Sequence, residues 1–372
     1  MTRVYHVAIV GAGLAGLACA VAAADAGMRV EVFEAAPALA APPAPIDVVP
    51  NLLRDLVSLG LGPACTGRGF AYRDAAVVHT EGAARYTIPT PPLAGPRHPA
   101  AQGMLYGELL RVLHDAAVER GVQMHWDARI AAIEPQGARA RLQVEQGGEC
   151  TTDLVVLAGA TGVDGVALPL PHAGARLPQR WDHLLIPRPR DLDQTTWFIG
   201  PGPTKCLLVP VSVTQAGLAL LVDEREDPPP QPSTASQLRE RLQRAGTTMA
   251  RLGALLPAGG KVVARPVRTG LLGAPWHEGA VLRVGSNAHL LPPHFGQAAA
   301  QSVEDAVVLG ELLGAGLERL DLMTRFSERR AGRAAWVHSA CTQAAGWDLQ
   351  PGPGTNLADL AERLQPVIAR PA

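Results

Sequence analysis

Apolar and polar positions along the chain switch between two periods, and the order of the switches predicts most of the elements. Tyr5-His6-Val7-Ala8-Ile9-Val10 is a short β-prone run, and an almost wholly small and apolar stretch after it reads as a buried helix to about Ala26. Gly27 stops that helix, and Arg29-Val30-Glu31-Val32-Phe33 reads as a second strand. Ile46 to Val49 alternates as a strand, and Pro50-Asn51 opens a helix over Leu52 to Leu59. Phe70 to Arg73, Val77 to Thr80 and Ala84 to Ile88 suggest a hairpin region, with a proline-rich crossover from Pro89 to Pro99. Leu105, Leu109, Val112, Leu113, Ala116 and Ala117 recur at helical spacing, and Val122 to Trp126 follows Gly121 as a third parallel strand. Arg129 to Ile133 and Ala140 to Glu145 predict a small meander, and Asp153 to Leu157 a buried parallel strand.

From Pro169 to Arg268 strands and turns dominate. Trp197 to Gly200, Lys205 to Val211 and Gly217 to Val222 predict an antiparallel sheet, and Ala235 to Ala245 a helix. Ala280 to Gly285 is the last strand, followed by helices at about Gln297 to Leu313 and Leu317 to Ala345 and a proline-containing tail expected to be poorly ordered. The fold class is therefore α/β, with a Rossmann-like domain, an interleaved antiparallel-sheet domain and C-terminal helices. The chain weaves between domains: 1–70, 98–165 and 276–345 form the first, 71–97 and 166–275 the second, and 346–372 the tail.

The chemistry begins where the first strand ends. Gly11-Ala12-Gly13-Leu14-Ala15-Gly16 is a complete G-x-G-x-x-G between strand and helix, and Glu34 ends the next strand, about 20 residues on. Gly11 permits the tight turn, Gly13 lets backbone approach a pyrophosphate, and Gly16 lets helix and strand pack closely. The helix start at Leu14 and Ala15 presents free N–H groups and a partial positive charge to phosphate. Glu34 is placed to accept hydrogen bonds from both ribose hydroxyls of an adenosine. Val7 to Ala24 carries no charge, but its alanine and glycine content and its interrupting glycines argue against a membrane span or secretory signal.

Composition narrows the partners. A formal net charge of −1 gives no pull toward nucleic acid or anionic membrane. The five cysteines are scattered without a C-x-x-C, which suits a reducing cytoplasm and argues against a disulfide framework or structural zinc. Eleven histidines are dispersed, and no metal site is expected.

A second constellation follows the last strand: Gly285-Ser286-Asn287-Ala288-His289, then Pro293-x-x-Gly296-Gln297, then Glu304-Asp305-Ala306. It reads as a strand, a glycine turn, a loop and a helix N-terminus able to face an anion or an electron-rich ring edge. Together the two motifs resemble the flavin-dependent aromatic hydroxylases of the p-hydroxybenzoate hydroxylase type, over about residues 4 to 345. Ile46 to Asn51 resembles the family's strand along the active site, and Trp276-His277-Glu278-Gly279 the turn before the last strand.

The resemblance implies FAD as the bound cofactor, NAD(P)H as transient reductant, and insertion of one oxygen atom from O2 into a small aromatic or heteroaromatic molecule. It implies cofactor contacts from the glycine turn, Glu34, Tyr106, Ile130, Ser286, Gly296, Gln297 and Ala298, with Pro293 and His294 beside the flavin ring. Four positions depart from the family pattern: Ser286 replaces Asp, Ala298 replaces Gly, Thr161 replaces Asp and Tyr106 replaces Arg. From the residues themselves, Asp47 alternates with core-facing Ile46 and Val48 and is the candidate base. Tyr72 and His183 are candidates for binding a polar ring substituent. A flavin oxidoreductase without oxygen insertion and a non-catalytic relative of the same scaffold are the alternative readings, and oligomeric state is left open.

Overall fold

The computed structural model describes residues 3–39, 41, 43–79, 85–159, 174–200, 204–225 and 233–372. A six-stranded sheet runs in the spatial order His277–Glu278, Val281–Arg283, Leu154–Leu157, His6–Val10, Arg29–Phe33 and Gln123–His125. Its pairings are parallel except for the first, an antiparallel edge. One face, carrying Val7, Ile9, Val32 and Val156, packs on the helices Leu14–Asp25, Tyr106–Glu119 and Gln297–Gly314. The first of these buries ten consecutive residues, most of them small. An added Cβ at Gly310 would lie 3.0 Å from Ala22 Cβ, so the small residues let the first and 297–314 helices approach closely. The opposite face, with Ala8, Val10, Phe33, Val155 and Leu157, is covered by a three-stranded meander.

A second, eight-stranded sheet has Ala175–Pro187 near its centre, flanked by Gln215–Asp223 and Val263–Leu271. Apolar residues on one side, including Leu184, Leu208, Leu218 and Leu220, pack on helices Ala235–Arg244 and Thr247–Ala254. The other side carries Trp181, Trp197, Leu207 and Val267. A small sheet of Pro45–Val48, Ala101–Leu105 and Phe70–Tyr72 joins the two large ones. The approach is close. An added Cβ at Gly103 would lie 2.1 Å from the Pro210 carbonyl oxygen, and one at Gly217 would lie 2.3 Å from Pro45.

Three local expectations change. Leu105 ends a strand rather than beginning the helix, which starts at Tyr106. Phe70–Tyr72 pairs with Ala101–Leu105, while the hairpin itself is Asp74–His79 with Arg85–Pro89. The C-terminal tail contains a helix, Leu357–Ala369, with Leu360 and Leu364 buried against Val337, Ala340, Cys341 and Ala344. Arg54 Nη1 donates to the carbonyls of Ile368 and Ala369, each at 3.0 Å, satisfying groups that a helix C-terminus leaves open. Among the described residues no helix is long and apolar enough to cross a membrane.

Candidate active site

The glycine turn is shaped by exclusion. An added Cβ at Gly16 would stand 1.9 Å from the Gly11 carbonyl oxygen, whereas one at Gly13 would meet none of the described residues within 4 Å. The close-packed position is therefore Gly16, and open space lies in front of Gly13, the N-cap of the first helix, which no side chain caps. Glu34 is held at the same turn: Oε2 accepts from the Ala12 N–H at 2.7 Å and Oε1 from the Ala36 N–H at 2.9 Å. A carboxylate offers about four acceptor directions. The two that remain suit paired hydroxyls.

The second turn packs directly on the first. Gly285 has φ +56°, and a Cβ there would come within 2.7 Å of Ala15 Cβ. The turn is tied from below by Asp305, whose Oδ2 accepts from the Gly285 N–H at 2.8 Å and pairs with His289 Nε2 at 2.7 Å. Arg330 Nε donates to Asp305 Oδ1 at 2.7 Å, and Arg330 also reaches Glu304. Burial raises the Asp305 pKa, but the His289 and Arg330 charges outweigh it and hold the carboxyl down at about 2. The acids of the Glu304-Asp305-Ala306 segment thus act as structural supports for the turn.

Between the two turns and the large sheet lies a cavity of about 730 Å³. Gly13, Leu14 and Ala15 line one end; Ser286, Pro293, Gly296, Gln297 and Ala298 line a wall; Asp47, Tyr72 and His183 line the part against the sheets. Gly296 has φ +67°, and a Cβ there would clash with Val49 at 2.6 Å, so backbone at the start of the 297–314 helix is held in a form that favours glycine. The Gln297 amide is spent on Asn51, at 3.1 and 3.2 Å, and it also accepts from Gln301. What that helix start offers the cavity is therefore backbone and dipole rather than the Gln297 side chain.

Asp47 accepts a hydrogen bond from Tyr72 Oη. Burial pushes the Asp47 carboxyl up to about 6, against the opposing hydrogen bonds from Tyr72 and Thr195. Burial, with the adjacent Asp47 charge, raises the Tyr72 phenol well above its ordinary value, so it stays protonated. Burial, helped by the Arg265 charge, lowers the His183 imidazole to about 3, and its buried Nδ1 has no hydrogen-bond partner among the described residues. The His183 ring is therefore neutral where it lines the cavity, and can meet a polar ligand without carrying charge into it.

Two sequence-based placements change. The His294 ring does not line the cavity: Nε2 pairs with Asp348 at 2.6 Å, while its neighbours Pro293 and Phe295 face the opening. Ile130 is buried in the core between meander and sheet, with Ala8, Leu142 and Val155, and does not reach the cavity. Thr161 lies outside the described residues. Beneath the meander, His6, Glu31 and Cys150 bring possible ligand atoms within 4.8 Å of one another, a grouping the sequence did not suggest. There Glu31 is already engaged by Arg29 at 2.7 Å and His125 Nε2 at 2.8 Å.

Several lining residues escaped sequence reasoning. Trp181 and Trp197 meet edge to face, with centroids 5.9 Å apart. Trp181 and His183 are two apart on one strand, a period-2 signal that was there to be read. Ala361, Leu364, Gln365 and Ile368 of the C-terminal helix also line the cavity, and their spacing is that of one helix face.

The open space before Gly13, the paired turns and the donor-rich helix starts fit a dinucleotide with a planar ring system. A family model described as an FAD binding domain matches residues 4–340. The chain is 27% identical over 358 residues to kynurenine 3-monooxygenase of Salinispora arenicola, covering 87% of this chain and 76% of that protein. It is 26% identical over 396 residues to 3-amino-4-hydroxybenzoate 2-monooxygenase of Streptomyces platensis, covering 96% and 93%. In structure it is similar to Klebsiella pneumoniae HpxO, solved with FAD and uric acid, at a TM-score of 0.80 and 20% identity over 98% of this chain and 93% of that one.

Proposed function

The chain belongs to the FAD binding domain family and is an FAD-dependent monooxygenase, and we propose that it hydroxylates a small planar aromatic or heteroaromatic molecule bearing an ionisable hydroxyl or amino group, with NAD(P)H and O2 as co-substrates in the cytoplasm. The observation that carries this reading is the single cavity that runs from the glycine turn to the Asp47–Tyr72 pair and His183. When bound, FAD supplies the hydride acceptance and oxygen activation that side chains cannot.

The chain's own residues supply the rest. The first-helix N-terminus would meet phosphate, and Glu34 would hold the ribose. The start of the 297–314 helix, which lines the cavity, would offer its positive dipole end to an electron-rich edge of the ring system. Trp181 and Trp197 offer apolar faces and edges to a flat substrate. Asp47 takes a proton from the substrate hydroxyl, and Tyr72 orients the carboxylate as it does so. Loss of that proton raises electron density on the ring carbons ortho and para to the oxygen, which activates them toward an electrophilic oxygen. A carboxyl near 6 is a base matched to this task at neutral pH. The neutral His183 ring, which lines the same part of the cavity, meets a second ring substituent. The apolar face of the C-terminal helix helps exclude water.

The test is a panel of hydroxy- and amino-aromatics scored for stimulated NAD(P)H oxidation and for an oxygenated product, with wild type and Asp47→Asn. Stimulation with product, and an acid limb near pH 6 that Asp47→Asn abolishes together with about a hundredfold or more of the rate, is expected. Stimulation without an oxygenated product points instead to an oxidoreductase that inserts no oxygen. An unchanged pH profile in Asp47→Asn removes Asp47 as the base.

A further inference from the structure

One half-buried cation lining the cavity has no carboxylate partner among the described residues. Arg265, on strand Val263–Leu271 of the large sheet, lines the cavity and carries its guanidinium over the Tyr106 ring, 5.4 Å from the centroid. No carboxylate among the described residues pairs with it. Burial lowers its pKa, with Tyr106 opposing, as for a cation removed from water without an anion beside it. Its platform stands at the glycine turn: Tyr106 begins the helix Tyr106–Glu119, and its phenol lies beside the Leu14 backbone, at the start of the first helix. Leu14 follows Gly13, where the backbone faces open space.

A guanidinium is strongly bound where two oxygens of an anion meet its fork, and withdrawing it even partly from water unpaired has a cost. The ligand expected beside Gly13 and Leu14 is a diphosphate. We propose that Arg265 reaches across from the substrate sheet to bind the cofactor's diphosphate, supplying there the cation that residue 106 does not. Tyr106 acts as the shelf that aims it. The two large sheets are then joined through the cofactor, because one carries the glycine turn and the other carries the charge that completes it. This rests on the flavin reading above.

The experiment titrates FAD and riboflavin into the flavin-stripped full-length chain, wild type and Arg265→Gln, following flavin fluorescence. Riboflavin shares the ring and ribityl chain but lacks the diphosphate. Arg265→Gln is expected to weaken FAD at least tenfold and riboflavin less than twofold, and Tyr106→Arg added to it to restore most of the FAD affinity. Equal FAD affinity in wild type and Arg265→Gln overturns the proposal, as does equal weakening of FAD and riboflavin, which marks a purely structural role. A double variant that binds riboflavin normally but FAD no better than Arg265→Gln also overturns it. Should Arg265→Gln not fold, Arg265→Lys gives the same comparison, with a selective loss of FAD affinity expected and no selective loss contradicting the proposal. Failure of wild type to bind either flavin would strike the flavin reading itself, a separate result.

Discussion

The two glycine turns that meet at Ala15 are built by different means. The turn at 11–16 is shaped by what it excludes: a single methyl at Gly16 would sit 1.9 Å from a carbonyl oxygen. The turn at 285 is shaped by what it attracts: a buried chain of Gly285, Asp305, His289, Arg330 and Glu304. A steric turn is set by local spacing and is indifferent to pH. An electrostatic turn needs partners distant in sequence and responds to protonation. One cavity wall should therefore fail by crowding, and the other by loss of charge.

The largest expected effect lies on the charged side. Arg330 is fully buried between two acids, and Arg330→Met removes the cation they share, leaving Asp305 only His289 and Glu304 only the half-buried Arg54 and Arg333. Removing one partner of such a group costs roughly 3–5 kcal/mol, read as a fall in the urea midpoint. Adding Asp305→Asn to that variant should recover part of the loss, since one buried charge short of a partner goes with it. No destabilisation would show that the network does not hold the turn. On the steric side, Gly16→Ala should cost about 1–3 kcal/mol and abolish tight FAD binding, with a loss that is the same at pH 5 and pH 8. A Gly16→Ala protein that binds FAD normally would mean that the turn can relax around a methyl.

How legible the two turns were in the sequence follows from the same difference. Gly11, Gly13, Gly16 and Glu34 could be placed because their roles depend on spacing along one βαβ unit. The second turn was recognisable by its motif, but the part of Asp305 in it was not, because Arg330 lies 25 residues further on. Arg265 and the Trp181–Trp197 pair were hidden for a related reason: each acts across strands, and a cross-strand neighbour is fixed by register rather than by local pattern. His294 fails at a finer level. Proximity to the motif placed it near the cavity, yet Phe295 at φ +58° turns the chain so that residues 293 and 295 face inward while His294 faces Asp348. The C-terminal helix carried its signal openly at 361, 364, 365 and 368, but Pro366 and the preceding glycines obscured it.

Protonation sharpens the comparison at smaller cost. Asp305 is held at about 2, below its ordinary 3.8, so its contribution is present above about pH 4 and is lost as pH falls through about 2. Asp47 has the opposite sign. Its folded-state value is about 6, so native protein binds the extra proton between about pH 4 and 6 and loses stability as pH rises through that window. Asp47→Asn should therefore become more stable relative to wild type as pH rises from 4 to 7, in denaturant titrations of flavin-free protein. A pH-independent difference would show that Asp47 is not held near 6.

The smallest effect is expected where the second turn meets the ligand. Ser286 is exposed to the cavity and Ala298 lines it. Ser286→Asp with Ala298→Gly should tighten FAD by a few-fold, through a charged acceptor and closer backbone approach. No gain in calorimetric titration would indicate a wall fitted to a different ligand pose.

The central claim, that both turns serve one oxygen-inserting flavin site, is tested most directly by isotope transfer. The FAD-loaded protein would be given NAD(P)H, an aromatic from the panel that stimulates its oxidation, and isotopically heavy O2. The account predicts product carrying one heavy oxygen atom on a ring carbon, with label from heavy water absent. Stimulated NAD(P)H oxidation that ends only in hydrogen peroxide for every stimulating aromatic, or product oxygen derived from water, would contradict it.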